Sequence, residues 1–489
     1  MRARAVGGRF RLPPGGLPIL KRLRLSIVAA LLAPPAGADD VVVVNASVRL
    51  GEIRPLHGVN GGVLEEGGTV DLSRAYAEIG TPLARLHDCR WPGPDVVDVH
   101  TVFPDPRADP ERPESYTFET TDRYLAAILA TGARIVYRLG ESIEHTETKR
   151  WVHPPADPER WAAVCAGIVR HYNEGWADGF RHGIRYWEIW NEPENRPAMW
   201  TGTDEDYFRL YATASRRLKE RFKEILVGGP SIGYPGKLRG DTLEPSPFLD
   251  AFLERCRKDG APLDFFSWHR YADDPRDLSR LARAVRKLLD GRGFPRAESH
   301  LNEWNHLPKE DWSPLLPAGQ GLARRQCFDA IGGAPGAAFS AAALVLLQDA
   351  PVDAANYYAG DTKPFGLFDE LGAPRKPFHV FRAFRSLLDT PVRVEARSGD
   401  GELAACAGLS REGDRAAILL ARFRAAPRRP ARVRLENLPW TEGSRWEVLV
   451  VDRERDLEPA LGGDAAGSSI DIEIALEAPW VALVRVIRG

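Results

Sequence analysis

The stretch RYWEIWNEPEN, residues 185–195, decides the fold of this chain. Residues 186–190 are mainly aromatic and aliphatic, which is the composition of a buried strand. Pro193 stops that strand, because proline has no N–H to donate to a strand ladder. An amide, Asn191, and a carboxylate, Glu192, are therefore left at the C-terminal end of the strand. In a parallel α/β barrel the reactive groups lie at that end of the strands.

A second strand with the same kind of ending lies far downstream, in SHLNEWN at 299–305. It delivers Glu303 beside an amide and an aromatic residue. Either carboxylate taken alone has an ordinary structural explanation, as a loop cap or as a buried acid paired with an arginine. Glu188, deeper in the first strand, is interpreted as structural. Two carboxylates at two strand ends are what cleavage of a glycosidic bond requires.

Length and composition narrow the protein class. The chain has 489 residues, enough for one large domain and a smaller one. A formal net charge of -2 argues against nucleic acid as a partner. The 5 cysteines are scattered and form no CxxC pair, so neither a disulfide framework nor a zinc motif is predicted.

Residues 1–38 have the pattern of an export signal. Basic residues at 21, 22 and 24 precede the apolar run 25–33, and small residues at 36–38 offer a cleavage site. We expect cleavage after Ala38 and a secreted or periplasmic protein, with no membrane segment after the signal.

From residue 56 to residue 388 the chain alternates apolar strands with amphipathic helices, which predicts a (β/α)₈ barrel. The alternative, an open doubly wound sheet, is disfavoured because no glycine-rich phosphate loop follows the first strand. Strands are predicted to start near residues 56, 83, 134, 186, 226, 265, 300 and 341. Helices are predicted at 121–130, 158–173, 204–222, 247–259, 275–290, 320–331 and 377–388.

Residues 389–489 change to short alternating strands, which predicts a β-sandwich domain. Gly462 and Gly463 are interpreted as one of its turns. The segment 39–55 holds a strand too far ahead of the barrel to belong to it, and we expect it to join the sandwich. The sandwich strands are predicted at 416–423, 432–435, 446–451, 470–474 and 480–487.

The residues around the two glutamates favour a catalytic role for them over a structural one. A nucleophilic Glu303 must stay ionised, for which Arg85 and Tyr271 are suitable neighbours. Burial among Trp187 and Trp190 is expected to raise the pKa of Glu192, as a general acid needs.

Further polar and aromatic residues at predicted strand ends are candidates for sugar contacts. Asn191, His87, His269 and Asn302 can bond sugar hydroxyls, and Trp304 has a face suited to stacking on a sugar ring. The histidines show no HxH or HExxH spacing and no GxSxG motif occurs, so no metal, cofactor or serine nucleophile is predicted.

The combination resembles the clan A retaining glycoside hydrolases, and most of all glycoside hydrolase family 39, which includes β-xylosidases and α-L-iduronidases. The resemblance covers most of residues 41–489. It implies that Glu192 is the acid/base, that Glu303 is the nucleophile and that Asn191 contacts the sugar 2-hydroxyl. It also implies that Tyr271 bonds Glu303 and that Arg85 supports its charge. The matching residues are Arg85, WNEP at 190–193, His269, Tyr271 and NEW at 302–304.

Two features depart from that pattern or modify it. Members of the clan commonly end strand eight with a tryptophan that floors the sugar site, whereas 341–358 offers Gln348, Asp349 and Tyr357. The long loop 89–116 is rich in proline and acidic residues and can narrow the pocket to one terminal sugar.

We therefore predict a retaining, exo-acting glycosidase of the β-xylosidase type that acts on glycosides or oligosaccharides from plant or other polysaccharides. Xylose, galactose, arabinose and uronic acids all stay open as the sugar, and no oligomeric state is predicted. Two alternatives remain: a catalytically silent carbohydrate-binding barrel and a metal-dependent hydrolase.

Overall fold

The computed structural model describes residues 40–489, except 66–67, 94, 317, 400 and 425–429. The predicted export signal lies outside the described residues. The strands are, in chain order, β1 (Asp40–Glu52), β2 (Gly58–Asn60), β3 (Leu64–Glu65), β4 (Val70–Asp71), β5 (Leu83–Leu86), β6 (Arg134–Leu139), β7 (Tyr186–Ile189), β8 (Leu226–Ile232), β9 (Gly236–Arg239), β10 (Thr242–Pro245), β11 (Phe265–Ala272), β12 (Glu298–His306), β13 (Ala354–Tyr357), β14 (Val392–Ser398), β15 (Leu403–Leu409), β16 (Arg415–Arg422), β17 (Ala431–Glu436), β18 (Ser444–Val451), β19 (Asp456–Ala465), β20 (Ile470–Ile474) and β21 (Trp480–Arg488).

The helices lie where the amphipathic periodicity predicts them, and the seven predicted ranges agree with the structure to within two residues at each end. Local capping explains two of the starts. Asp157 accepts hydrogen bonds from the backbone N–H groups of Glu159 and Arg160, and Thr203 and Asp206 form a capping box. The helices are α1 (Ser73–Ile79), α2 (Val99–Val102), α3 (Glu119–Ala130), α4 (Pro158–Asn173), α5 (Asp204–Arg221), α6 (Pro247–Asp259), α7 (Arg276–Gly291), α8 (Gly321–Gly332), α9 (Ala334–Leu346) and α10 (Lys376–Leu387).

Eight parallel strands close into a barrel, in the order β2, β5, β6, β7, β8, β11, β12, β13 and back to β2. Parallel barrel strands are covered on both sides, so they read as nearly continuous apolar runs. The strand β6 illustrates this, since only Arg134 of its residues RIVYRL is exposed. The predicted barrel is confirmed.

The eighth strand is not where the sequence pattern predicts it. The apolar run starting near Ala341 is inside helix α9, and the last barrel strand is β13, which pairs with β12 and β2. An apolar run without polar alternation fits a buried helix as well as a buried strand. The alanines of this run are fully buried between the barrel and the C-terminal sheet, which explains the missing polar face.

The C-terminal strands form one nine-stranded sheet, in the order β19, β18, β21, β16, β15, β14, β1, β17, β20. The N-terminal strand β1 lies inside this sheet, antiparallel to β14 and parallel to β17.

The two faces of this sheet pack into two different hydrophobic cores. Ile418 and Leu420 of β16 share a core with Val42 of β1 and Val433 of β17, so strands from both halves of the sheet enclose one interior and form two layers. The alternate residues of β16, such as Leu419, instead join the core that contains the barrel helices.

The prediction of a turn at Gly462 and Gly463 is wrong. Both residues lie within the edge strand β19, opposite Trp446 and Glu447 of β18. A Cβ added at Gly463 would lie 3.1 Å from the Trp446 ring, so the glycine lets the indole lie flat against the neighbouring strand.

Among the described residues, no single helix is long and apolar enough to cross a membrane. Segments 321–332 and 334–349 pass that test only as a pair, with a 43° bend between them.

Candidate active site

The C-terminal ends of five barrel strands bring the predicted site residues together at one mouth of the barrel. Because all strands are parallel, their last residues converge on one end of the barrel. The residues that meet there are Arg85 from β5, Glu188, Asn191 and Glu192 from β7 and the turn after it, Ser231 from β8, His269 and Tyr271 from β11, and Asn302 and Glu303 from β12.

Arg85 is fully buried and holds this group of residues together. A guanidinium has five N–H donors in a fixed plane, and here each one has an acceptor, which pins the side chains around it. Arg85 Nε donates to Glu188 Oε2 at 2.6 Å, Nη1 to Asn60 Oδ1 and Glu303 Oε1 at 2.9 Å each, and Nη2 to Asn191 Oδ1 at 2.6 Å and Ser231 Oγ at 2.7 Å.

Glu303 has a donor on each carboxylate oxygen. Arg85 bonds its Oε1, and the Tyr271 hydroxyl donates to its Oε2 at 2.8 Å. Burial raises the pKa of Glu303 above its ordinary value, and the charges of His269 and Arg85 oppose the rise without cancelling it. The predicted partners Arg85 and Tyr271 therefore both contact this carboxylate.

Glu192 is held by a different set of groups. His269 Nδ1 lies 2.8 Å from its Oε1, and Asn195 Nδ2 donates to its Oε2 at 2.9 Å. Gly233 packs directly against this carboxylate, since a Cβ added there would lie 2.4 Å from Oε1.

The expected rise in the pKa of Glu192 is wrong. Burial alone would raise the pKa, but the hydrogen bond and charge of His269 outweigh it and hold the pKa below its ordinary value. The two tryptophans that suggested an apolar pocket point into the protein core, where Trp187 bonds the carbonyl of Ile184 and Trp190 that of Met199. They surround the strand rather than the carboxyl group.

His269 links the two glutamates. Burial would lower its pKa, but the charges of Glu303 and Glu192 raise the pKa above the ordinary histidine value. Three atoms that could bind a metal ion, one each from Glu192, His269 and Glu303, lie within 4.8 Å of one another. The other ring nitrogen, Nε2, lies 2.7 Å from Ser231 Oγ.

A second polar group borders Glu303 on the side of β5 and β13. His87 Nε2 lies 3.9 Å from Glu303 Oε1 and 3.4 Å from Asp88 Oδ2. Tyr358, the first residue after β13, donates its hydroxyl to Asp88 Oδ2 at 3.0 Å. Tyr358 therefore provides a half-buried aromatic ring at the end of strand eight, where the sequence offers no tryptophan.

Comparison with known proteins places this geometry in a family. The family model for Glycosyl hydrolases family 39 matches residues 71–307, which include both glutamates. A glucosidase structure from Croceicoccus marinus has a TM-score of 0.76 and 27% identity, covering 93% of this chain and 100% of the other. The chain belongs to glycoside hydrolase family 39.

Two curated relatives of this family 39 chain are β-xylosidases, from Caldicellulosiruptor saccharolyticus and Geobacillus stearothermophilus. Each is 27% identical, over 265 and 345 residues respectively. The matches cover 52% and 62% of this chain but only 46% and 64% of the relatives' own length.

One predicted site residue of the family 39 chain does not reach the site. Trp304 is 0% exposed and packs against Tyr357. The register of β12 shifts at Asn302, and after this shift Glu303 and Trp304 point to opposite sides of the strand. Glu303 faces the barrel mouth, so its neighbour faces the surrounding helices.

Two of the residues that Arg85 contacts are not predicted from the sequence. Ser231 contacts Arg85, Asn191, His269 and Asn302, although it lies in a glycine- and proline-rich strand without a recognisable motif. Asn60 ends the first barrel strand, and only the strand-end rule applied to that strand would have suggested it.

Proposed function

We propose that this protein is a retaining, exo-acting glycosidase that removes a neutral terminal sugar, in the manner of a β-xylosidase. The observation that supports it most is the proximity of the carboxylates: His269 Nδ1 lies 2.8 Å from Glu192 Oε1 and 3.4 Å from Glu303 Oε2, so one nitrogen contacts both groups. Retaining glycosidases hold their two carboxyl groups about 5–5.5 Å apart, whereas inverting enzymes need about 6.5–9.5 Å to admit a water.

Glu303 is the proposed nucleophile. A carboxylate attacks only in its ionised form, and Arg85 and Tyr271 hydrogen-bond to its two oxygens. Tyr271 can release Oε2 as that oxygen forms the bond to the anomeric carbon, while Arg85 keeps Oε1 in place. Glu188, bonded to Arg85 Nε, fixes the guanidinium that does this.

Glu192 is the proposed acid/base, and His269 supplies its proton. With a lowered pKa on Glu192 and a raised pKa on His269, the shared proton rests on the imidazole. The hydrogen bond of 2.8 Å between them lets Nδ1 pass that proton to Glu192 Oε1, which then protonates the leaving group. The neutral ring keeps its Nε2 hydrogen for Ser231, so no side chain has to turn.

The charge balance supports a neutral sugar rather than a uronic acid. The buried cations at or next to the mouth are already paired: Arg85 with Glu188 and Glu303, Arg138 with Asp98, and Lys363 with Asp361. A sugar carboxylate near one of these three cations would therefore compete with an acidic residue that already pairs with it. The related β-xylosidases act, by their names, on a neutral sugar.

Asn191 is proposed to contact the sugar 2-hydroxyl, and His87 is also proposed to contact a sugar hydroxyl. Burial lowers the pKa of His87, so its ring is neutral, and its Nδ1 has no hydrogen-bond partner within the described part of the chain. Exo action is proposed from the loop after β5, which buries Trp91, Val97 and Phe103 and is thus fixed against the barrel.

A panel of chromogenic glycosides tests the activity and the sugar together. We expect release from β-xylosides, weaker release from β-glucosides and none from β-glucuronides. Binding of sugars without hydrolysis in the whole panel would favour a silent carbohydrate-binding barrel. Loss of activity with a chelator would favour a metal-dependent hydrolase, since Glu192, His269 and Glu303 offer three closely spaced donor atoms.

Azide separates the roles of the two glutamates. Azide needs no general base, so Glu192→Ala should be accelerated by azide on a nitrophenyl glycoside and give a product with retained configuration. Glu303→Gly should give the inverted azide, because azide occupies the vacated space. Glu244→Ala, at an exposed glutamate, is the matched control. Swapped product configurations would reverse the roles, and full activity of both variants would remove both residues from the mechanism.

Export is proposed from the pattern of residues 1–38. N-terminal sequencing of secreted protein should begin at Asp39, and retention of the whole chain in the cytoplasm would contradict it.

A further inference from the structure

A cavity of about 230 Å³ lies among the segments that follow the C-terminal ends of neighbouring barrel strands. Its walls come from the loops that follow β5 and β6, the start of α4, and Trp190 at the end of β7. Most of the lining side chains are apolar: Val99, Phe103, Pro104, Trp151, Trp161 and Val164. A cavity of this size accepts one ring-sized group, since cavities of about 150 Å³ bind benzene.

Trp151 is the exposed aromatic group of this cavity. It is 45% exposed although its ring lies flat on His100, with centroids 4.2 Å apart and an angle of 2° between the rings. His100 is itself held by a hydrogen bond, with 2.6 Å between its Nδ1 and Glu141 Oε2. The indole is thus held in one orientation, which lowers the entropic cost of stacking a ligand on its exposed surface.

Several polar groups of the lining already have partners within the protein. The two ring nitrogens of His153 contact Thr201 and the carbonyl of Lys149, and Arg160 donates to two backbone carbonyls. Asp157 caps helix α4. A sugar ring would bring several hydroxyl groups that need partners, whereas an aryl ring needs only apolar contact. Arg150 and Glu141 also border the cavity, but most of its lining is apolar, and the lining therefore suits an aryl ring.

The position of the cavity in the barrel indicates which part of the substrate it can bind. In the ring of eight strands, β6 is four positions from β12, so the cavity and the nucleophile Glu303 lie on opposite sides of the mouth. The loop after β6 forms part of the wall, and β6 pairs directly with β7, the strand that leads to Glu192. The acid protonates the oxygen of the leaving group, so the leaving group extends on the side of Glu192.

We propose that this cavity binds the leaving group of the substrate, and that it accepts an aryl group stacked on Trp151. The proposal rests on the proposed glycosidase function. It makes the natural substrates glycosides of phenols or of other flat, apolar alcohols, rather than sugar chains alone.

Two variants test the cavity. Trp151→Ala removes the stacking surface, and Ala156→Trp fills the cavity from an exposed position on its rim. Ala77→Trp places the same new ring at an exposed alanine of α1, outside the cavity, and is the matched control. Calorimetry with phenol alone measures binding without any turnover.

We expect phenol binding to weaken about tenfold in both cavity variants, and KM for a phenyl glycoside to rise by a similar factor with little change in kcat. Turnover of the matching glycosyl fluoride, which has no ring to place in the cavity, should change much less. The control variant should behave as the unmodified protein does in all three assays.

Unchanged phenol binding and an unchanged KM in both cavity variants would overturn the proposal. A further measurement of KM for xylobiose would overturn it too if that KM rose while the KM for the phenyl glycoside stayed unchanged, because the cavity would then bind a sugar. A protein that hydrolyses neither the phenyl glycoside nor the fluoride would instead refute the glycosidase function, and phenol calorimetry would still decide whether the cavity binds an aryl ring.

Discussion

Gly233→Ala should impair the acid/base function proposed for Glu192 while leaving the fold intact. The added Cβ would lie 2.4 Å from Glu192 Oε1 and 2.8 Å from its carboxyl carbon. An ordinary carbon–oxygen contact is about 3.4 Å, so the carboxylate has to move by about 1 Å. A displacement of about 1 Å at a reacting group costs on the order of 100-fold in rate, or about 2.7 kcal/mol of activation free energy. The displaced atoms end a side chain, so the free energy of unfolding should change by no more than about 1 kcal/mol.

The assay compares two leaving groups. With xylobiose, whose leaving sugar must be protonated, kcat/KM should fall about 100-fold; with a dinitrophenyl xyloside, whose leaving group departs without a proton, the fall should be much smaller. Gly291→Ala, at a helix end with nothing within 4 Å of the added Cβ, is the control. Equal losses on both substrates would refute the reasoning, because the methyl group would then disturb the whole site and not the proton transfer.

Three further predictions concern buried charges. Arg85→Met should lower the free energy of unfolding by about 3–5 kcal/mol in urea titrations, because Glu188 loses its partner while fully buried; a loss below about 1 kcal/mol would contradict this. Burial and then the charge of Glu192 raise the pKa of Glu194 to about 7, so the folded state binds this proton more tightly than the unfolded state and loses stability as pH rises toward 7. Glu194→Gln should therefore become more stable relative to the unmodified protein between about pH 5 and 7, as thermal unfolding across that range will measure, and a constant difference would count against the shift. His269→Asn keeps an N–H toward Glu192 but removes the shared proton. The alkaline limb of the pH profile of kcat/KM should therefore move to lower pH. An unmoved limb would exclude His269 as the proton donor.

The sequence by itself predicts the features that depend on local order along the chain. Helix positions follow from apolar periodicity, as the agreement of the seven predicted ranges shows. The site glutamates follow from their position toward the C-terminal ends of apolar strands, since parallel strands bring these ends together whatever the rest of the chain does. For the same reason Arg85, Asn191, His269 and Tyr271 were predicted together with them.

The tertiary structure decided whatever depends on neighbours distant in sequence. The alanine-rich run near Ala341 is apolar in either conformation, and it forms a helix because the barrel and the C-terminal sheet cover it on all sides. Trp304 follows Glu303 directly, yet the pleat of β12 turns it into the core. The direction of the pKa shift of Glu192 depends on a histidine from another strand rather than on the tryptophans beside it in the chain. A pKa depends on distances of a few ångströms between charges, and such distances exist only once the strands are assembled.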